Sequence, residues 1–163
     1  MRLTQHFQLE EFTRSATARR LGIDNTLTPT KAYDRILIGN LQRLCEQVLE
    51  PLRQHANSPR HAPSPLEGEP EQLLIHINSG YRCLILNRAV GGSPTSNHIS
   101  GCAADIRIPD IPTGREWFEW LQAHVPFDEL IWERATPTGH PWIHVALRPE
   151  TNRRRVIPDL VKQ

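Results

Sequence analysis

Two short stretches restrict this chain most: Ser96-Asn97-His98-Ile99-Ser100-Gly101-Cys102-Ala103-Ala104-Asp105, and downstream Trp142-Ile143-His144-Val145. Both end in strand-like sequence that carries an ionisable group. Successive side chains of a strand point to opposite faces. Trp142 and His144 therefore share one face, while Ile143 and Val145 take the other and read as core. Asp105 lies among small and branched residues, where an unpaired carboxylate is costly to bury. A cation removes that cost, and so does a salt bridge to an arginine. Gly101, Ala103 and Ala104 keep side-chain bulk low around it. The fold must therefore supply a sheet with one apolar face and one face that tolerates two imidazoles and a carboxylate.

His98, Asp105 and His144 together form a three-ligand zinc set with one coordination position open, as catalytic zinc requires. A closed structural site would need a fourth protein ligand, and the sequence holds no Cys-x-x-Cys pair to supply one. The expectation is Zn2+ held by these three residues, serving hydrolysis. Glu133 ends the apolar run Leu130-Ile131-Trp132. If a hairpin sets it beside His144, its carboxylate becomes the candidate general base; a surface glutamate at a hairpin shoulder is the competing reading. Arg82 follows Asn78-Ser79-Gly80-Tyr81. Its guanidinium suits a substrate carboxylate or a developing oxyanion, or else a structural carboxylate pair. His140 and Trp142 complete the candidate substrate-binding set. Asp128 and Glu129 are weaker candidates for the base.

The remaining chain reads as one domain over 1–163. Residues 1–28 form an amino-terminal cap anchored by Phe7, Leu9, Phe12, Leu21 and Ile23. Thr28 is expected to cap a helix that begins at Pro29. Leu37, Leu41, Leu44, Cys45, Val48, Leu49 and Leu52 recur at helical spacing and predict an amphipathic helix over 29–55, kinked or ended by Pro51. Residues 56–72 hold four prolines and predict an exposed loop. Strands are expected at 73–78, 103–108, 130–132 and 142–147. A short helix is expected at 83–90, closed by Gly91-Gly92. A second helix is expected to open on the capping box Thr113-Gly114-Arg115-Glu116. Helices around a small, mostly antiparallel sheet make the fold class α+β.

Composition mainly excludes. Net charge is +1, so no bulk field favours nucleic acid or an anionic membrane. Arg153-Arg154-Arg155 reads as a solvated tail. Three widely spaced cysteines argue against a disulfide framework, and Cys45, Cys83 and Cys102 read as small core filler. No run is long and apolar enough to span a bilayer. The amino terminus lacks the apolar centre of a secretory signal. The chain is thus expected to stay cytoplasmic as synthesised, unless something else releases it, and to act as a monomer.

Taken in order, Ser79-Gly80-Tyr81-Arg82, Ser96-x-His98-x-x-Gly101-x-Ala103-x-Asp105 and Trp142-x-His144 resemble the zinc peptidases of the D-alanyl-D-alanine carboxypeptidase type. Arg14-Ser15-Ala16-Thr17, Asn87 through Gly92 and Phe127 through Ile131 resemble its phage and prophage L-alanyl-D-glutamate endopeptidase branch. Hedgehog domains share this metal-site architecture. The resemblance implies His98, Asp105 and His144 as zinc ligands, Arg82 as the arginine that binds substrate or intermediate, and Ser96 as a hydroxyl lining the site. Many members carry an acid three positions before the last histidine ligand; Pro141 stands there in this chain. Glu133 instead matches the hedgehog-like position at the end of the preceding strand. The implied activity is hydrolysis of a peptide bond in the peptidoglycan stem peptide, by a carboxypeptidase or an endopeptidase. A non-catalytic zinc module that binds wall peptide or a protein partner is the alternative.

Overall fold

The structure is a computed structural model describing residues 1–58 and 73–161. The expected proline-rich loop at 56–72 falls almost wholly on residues 59–72, outside the described residues.

Five strands form one sheet. They are β1 (His76–Ser79), β2 (Ala103–Arg107), β3 (Glu129–Arg134), β4 (Trp142–Ala146) and β5 (Arg155–Val161), in the order β1-β2-β4-β3-β5. All neighbours are antiparallel except β3 and β5, which run parallel. With the helices below, this is an α+β fold, as the sequence predicts. Alternation divides the two faces cleanly. Ile77, Ala104, Ile106, Leu130, Trp132, Ile143 and Val145 all enter the apolar core. The opposite face carries Asp105, His144 and Ile131, which are cross-strand partners in one row.

The core face is covered chiefly by helices. The long one begins as α3 (Ala32–Leu44), passes through a π-helical turn (Cys45–Leu49), and continues as α4 (Glu50–Ala56). Leu37, Leu41, Leu44, Val48, Leu49 and Leu52 form its buried stripe, as their spacing predicts. Pro51 does not end the helix. A proline lacks an N–H and crowds the carbonyl of the preceding turn; the wider π turn ahead of Pro51 accommodates it, and the helix runs on to Ala56. The start also differs from the sequence expectation. The helix begins at Ala32, and Thr28 lies outside it. Asp34 reaches back from the first turn, where Oδ2 accepts the Thr28 backbone N–H (2.8 Å).

Helix α6 (Ile111–His124) begins earlier than the Thr113 box suggests. Asp110 is its cap, with Oδ1 accepting the Thr113 N–H (2.8 Å), and Pro112 fits the first turn. Short helices α1 (Leu9–Thr13), α2 (Ala16–Leu21) and α5 (Leu84–Ala89) complete the described elements. Cys45 and Cys102 are buried, as core filler should be. Cys83 is only partly buried; its Sγ accepts the Leu86 N–H and caps α5. No helix among the described residues is long and apolar enough to cross a membrane.

The arginine triplet is not a solvated tail. Arg155 opens β5 and pairs with Glu129 (3.3 Å). Arg154, at φ 53°, lies over the Phe127 ring (4.4 Å) and donates to the Gln122 carbonyl (2.7 Å). Arg153 donates to both oxygens of Asp128 (2.9 and 2.6 Å). Sequence composition could not reveal this, because the partners lie some thirty residues upstream.

Asp128 is fully buried. Burial alone would raise its carboxyl, but the hydrogen bonds from Arg153 and the nearby Arg148 charge bring it down to about 2 from an ordinary 3.8. A carboxyl depressed on folding contributes stability that is complete above the unfolded value and lost as pH falls through the folded one. Wild-type protein should therefore lose about 2 kcal/mol more than Asp128→Asn between pH 5 and pH 2. Urea unfolding of both proteins across that range measures the difference.

Candidate metal centre

Each ligand-type side chain is held by backbone that the local sequence dictates. His98 lies in a turn-rich loop, Ser96–Gly101. The Ser96 Oγ accepts the His98 N–H (3.3 Å), and Gly101 reverses the chain at φ +67°. A β-carbon at Gly101 would stand 2.7 Å from the Leu37 carbonyl oxygen. Gly101→Ala thus combines left-handed strain with a backbone clash and should cost about 2–4 kcal/mol. A thermal shift of the purified variant reads this directly. The loop is also tied to α3, where Asn40 Nδ2 donates to the Ser100 carbonyl (2.9 Å).

Asp105 and His144 face each other across β2 and β4. His98 Nε2 is 3.3 Å from Asp105 Oδ1, and His144 Nδ1 is 2.9 Å from the same oxygen. One ligand atom from each of the three residues lies within 4.8 Å of the others. Tetrahedral zinc with bonds of about 2.0–2.1 Å spaces its donors about 3.3 Å apart. The donor set therefore fits a zinc-sized cation with only small adjustments.

The protonation states fit as well. His98 Nδ1 donates to the Gly80 carbonyl at 2.6 Å, which leaves Nε2 as the nitrogen facing Asp105. Burial lowers the His98 pKa, keeping the imidazole neutral as a ligand must be. For Asp105, burial pushes the carboxyl up, but the His98 and His144 imidazoles hold it well below the usual carboxylate range. Its second oxygen, Oδ2, accepts from Arg82 Nη2 at 2.7 Å, and Arg82 Nε donates to Ser79 Oγ at 2.8 Å. The Arg82 guanidinium thus makes the carboxylate pair that the sequence left open as one of its two roles, and it also lines the cleft beside the three ligands.

That cleft is about 530 Å³ and is walled by Ser96, His98, Glu133 and His144, among others. Glu133 faces Trp142 across the β3–β4 hairpin, and its Oε2 accepts the indole N–H at 3.2 Å. The side chain is buried. The hairpin thus sets Glu133 on the metal-site face, two residues along from the cross-strand partner of His144. Trp142 braces Glu133 rather than lining the cleft. His140 lies apart, with its ring near the Ile108 carbonyl (3.4 Å). Asp128 and Glu129 are engaged by Arg153 and Arg155.

Sequence reasoning passed over three contributors. The Gly80 carbonyl orients His98. Asn97 bridges Asp128 and Glu129 through Nδ2 and holds Arg148 through Oδ1. Asn25 is buried; it donates to the Thr13 and Tyr81 carbonyls and accepts the Cys83 N–H, pinning the amino-terminal segment to the loop that carries Arg82. Backbone acceptors leave no residue-type signal, and asparagines between turns look like ordinary loop residues.

No curated protein matches the chain. Residues 68–146, just under half of its length, match the family model described as Peptidase M15, and this span holds Arg82, His98, Asp105, Glu133 and His144.

Proposed function

We propose that this protein is a zinc-dependent peptidase acting on the stem peptide of peptidoglycan. The observation that carries this reading is the convergence of His98, Asp105 and His144 from a loop and two strands, with ligand atoms within 4.8 Å, in a cleft that Glu133 also lines. The similarity to Peptidase M15 over that region supports a peptidase.

When bound, zinc would supply a Lewis acid that polarises the scissile carbonyl and lowers the pKa of attacking water. The protein's own residues do the rest. His98 and His144 each present an imidazole nitrogen, and Asp105 presents one carboxylate oxygen while Arg82 holds the other. Glu133 takes the proton from water and returns it to the leaving amine. Its bond to the Trp142 indole keeps the carboxylate on the cleft side of the hairpin. Ser96 and the Arg82 guanidinium border the space for the peptide.

The test is direct. Purified protein should contain about one zinc per chain and release peptide fragments from purified cell wall, identified by mass spectrometry. Protein that carries zinc but leaves every wall peptide intact would instead be a binding module.

A further inference from the structure

Arg148 has no role in the chemistry above, yet it is built as a site. It follows β4, four residues beyond His144. Its backbone is locked: the N–H donates to Asn152 Oδ1 (2.8 Å) and the carbonyl accepts from Asn152 Nδ2 (3.2 Å). Its Nε donates to Asn97 Oδ1 (3.0 Å) and lies 3.1 Å from Asp128 Oδ2. The stem is therefore fixed at Nε. The two terminal nitrogens make no hydrogen bond among the described residues, and the side chain is 39% exposed.

Its position gives that free fork a purpose. The metal cleft meets a second cavity of about 480 Å³, which Tyr33, Asn40, Ser100 and Thr151 help to line. Thr95, Ser96, Asn97 and Arg148 belong to both walls. Arg148 borders both cavities. Four residues of extended chain cover at most about 13 Å, so a peptide bound at His144 has a group within about four residues of its reacting bond at Arg148. A pinned guanidinium with a free fork suits bidentate binding of a carboxylate, and its orientation is set before ligand arrives.

We propose that Arg148 binds a free carboxylate of the substrate peptide and makes it a specificity determinant. The assignment rests on the cleft being the peptide site. Two sources share this chemistry in a stem peptide: the α-carboxylate of a γ-linked glutamate, and the terminal carboxylate.

Three synthetic peptides separate them: L-Ala-γ-D-Glu-L-Lys-D-Ala, its glutamate α-carboxamide, and its terminal carboxamide. Each is titrated by calorimetry into zinc-loaded wild type, Arg148→Gln and Arg148→Lys, and each is also tested for cleavage. One amidation should weaken binding to wild type by about tenfold or more. In Arg148→Gln the same amidation should have almost no effect. Arg148→Lys should retain only part of the preference. Cleavage should show the same pattern in KM with kcat unchanged, and zinc content should not move. Wild type that binds all three peptides equally, or binds none, overturns the proposal. So does an amidation penalty that survives intact in Arg148→Gln. Carboxylate-selective binding without cleavage would remove the peptidase reading and leave Arg148 its role. A thermal scan keeps the variants comparable; Asp128 retains Arg153 in both.

Discussion

His98→Ala should reduce bound zinc from about one per chain to a small residue, and wall-peptide cleavage should fall to background. The argument is one of donor number. His98 supplies the only ligand from the Ser96–Gly101 loop, and two strand residues cannot close a tetrahedral site. Without the imidazole, Asp105 keeps Arg82 as a partner (2.7 Å), so its charge stays balanced with no cation. The fold should survive, because the apolar core lies on the opposite face of the sheet. Metal analysis, circular dichroism and turnover on one sample measure all three. His144→Ala is the companion variant and should behave alike. Zinc retained at wild-type level in both would remove the metal centre from the account.

Glu133→Gln is expected to do the opposite with metal. The residue is not among the three ligands, so zinc content should stay at the wild-type level. An amide cannot accept the proton from water, and kcat should fall by about 10²–10⁴-fold with little change in KM. The carboxamide is nearly isosteric and its oxygen can still accept the Trp142 indole N–H, so the hairpin should keep its shape. Glu133→Ala would be less informative, since it also removes that bond. A Glu133→Gln protein that retains full turnover would require another base.

Much of this was legible in the sequence because it rests on alternation and helical spacing. The row Asp105–His144 follows from period-two reading of two strands, and the buried stripe Leu37 to Leu52 follows from period 3.6. Where single residues decide, local signals were weaker. Thr28 looks like a cap, but Asp34 satisfies its N–H from inside the helix. Thr113 and Glu116 look like a capping box, but Asp110 and Pro112 set the start. Strand β5 was hidden. Its Pro158 argues against a strand, yet it sits at an edge beside a register shift, where a missing N–H is tolerated. The three arginines before it look solvated until Phe127, Asp128 and Glu129 are placed opposite them. The Arg82–Asp105 pair was foreseen only as one of two alternatives, because spacing does not say which carboxylate a guanidinium meets.

The segregation of the sheet's two faces has a practical consequence for protein engineering. Reactive groups and hydrophobic layer occupy alternate positions on the same strands, so exchanging one set leaves the other untouched. A library randomised at Ser96 and Arg148, with Arg82 kept on the buried Asp105 and Glu133 kept as the base, would therefore sample new specificities while the apolar layer stays intact. Glu133→Gln, which leaves the three ligands and Arg148 in place, would serve as a capture reagent for the peptide the parent recognises.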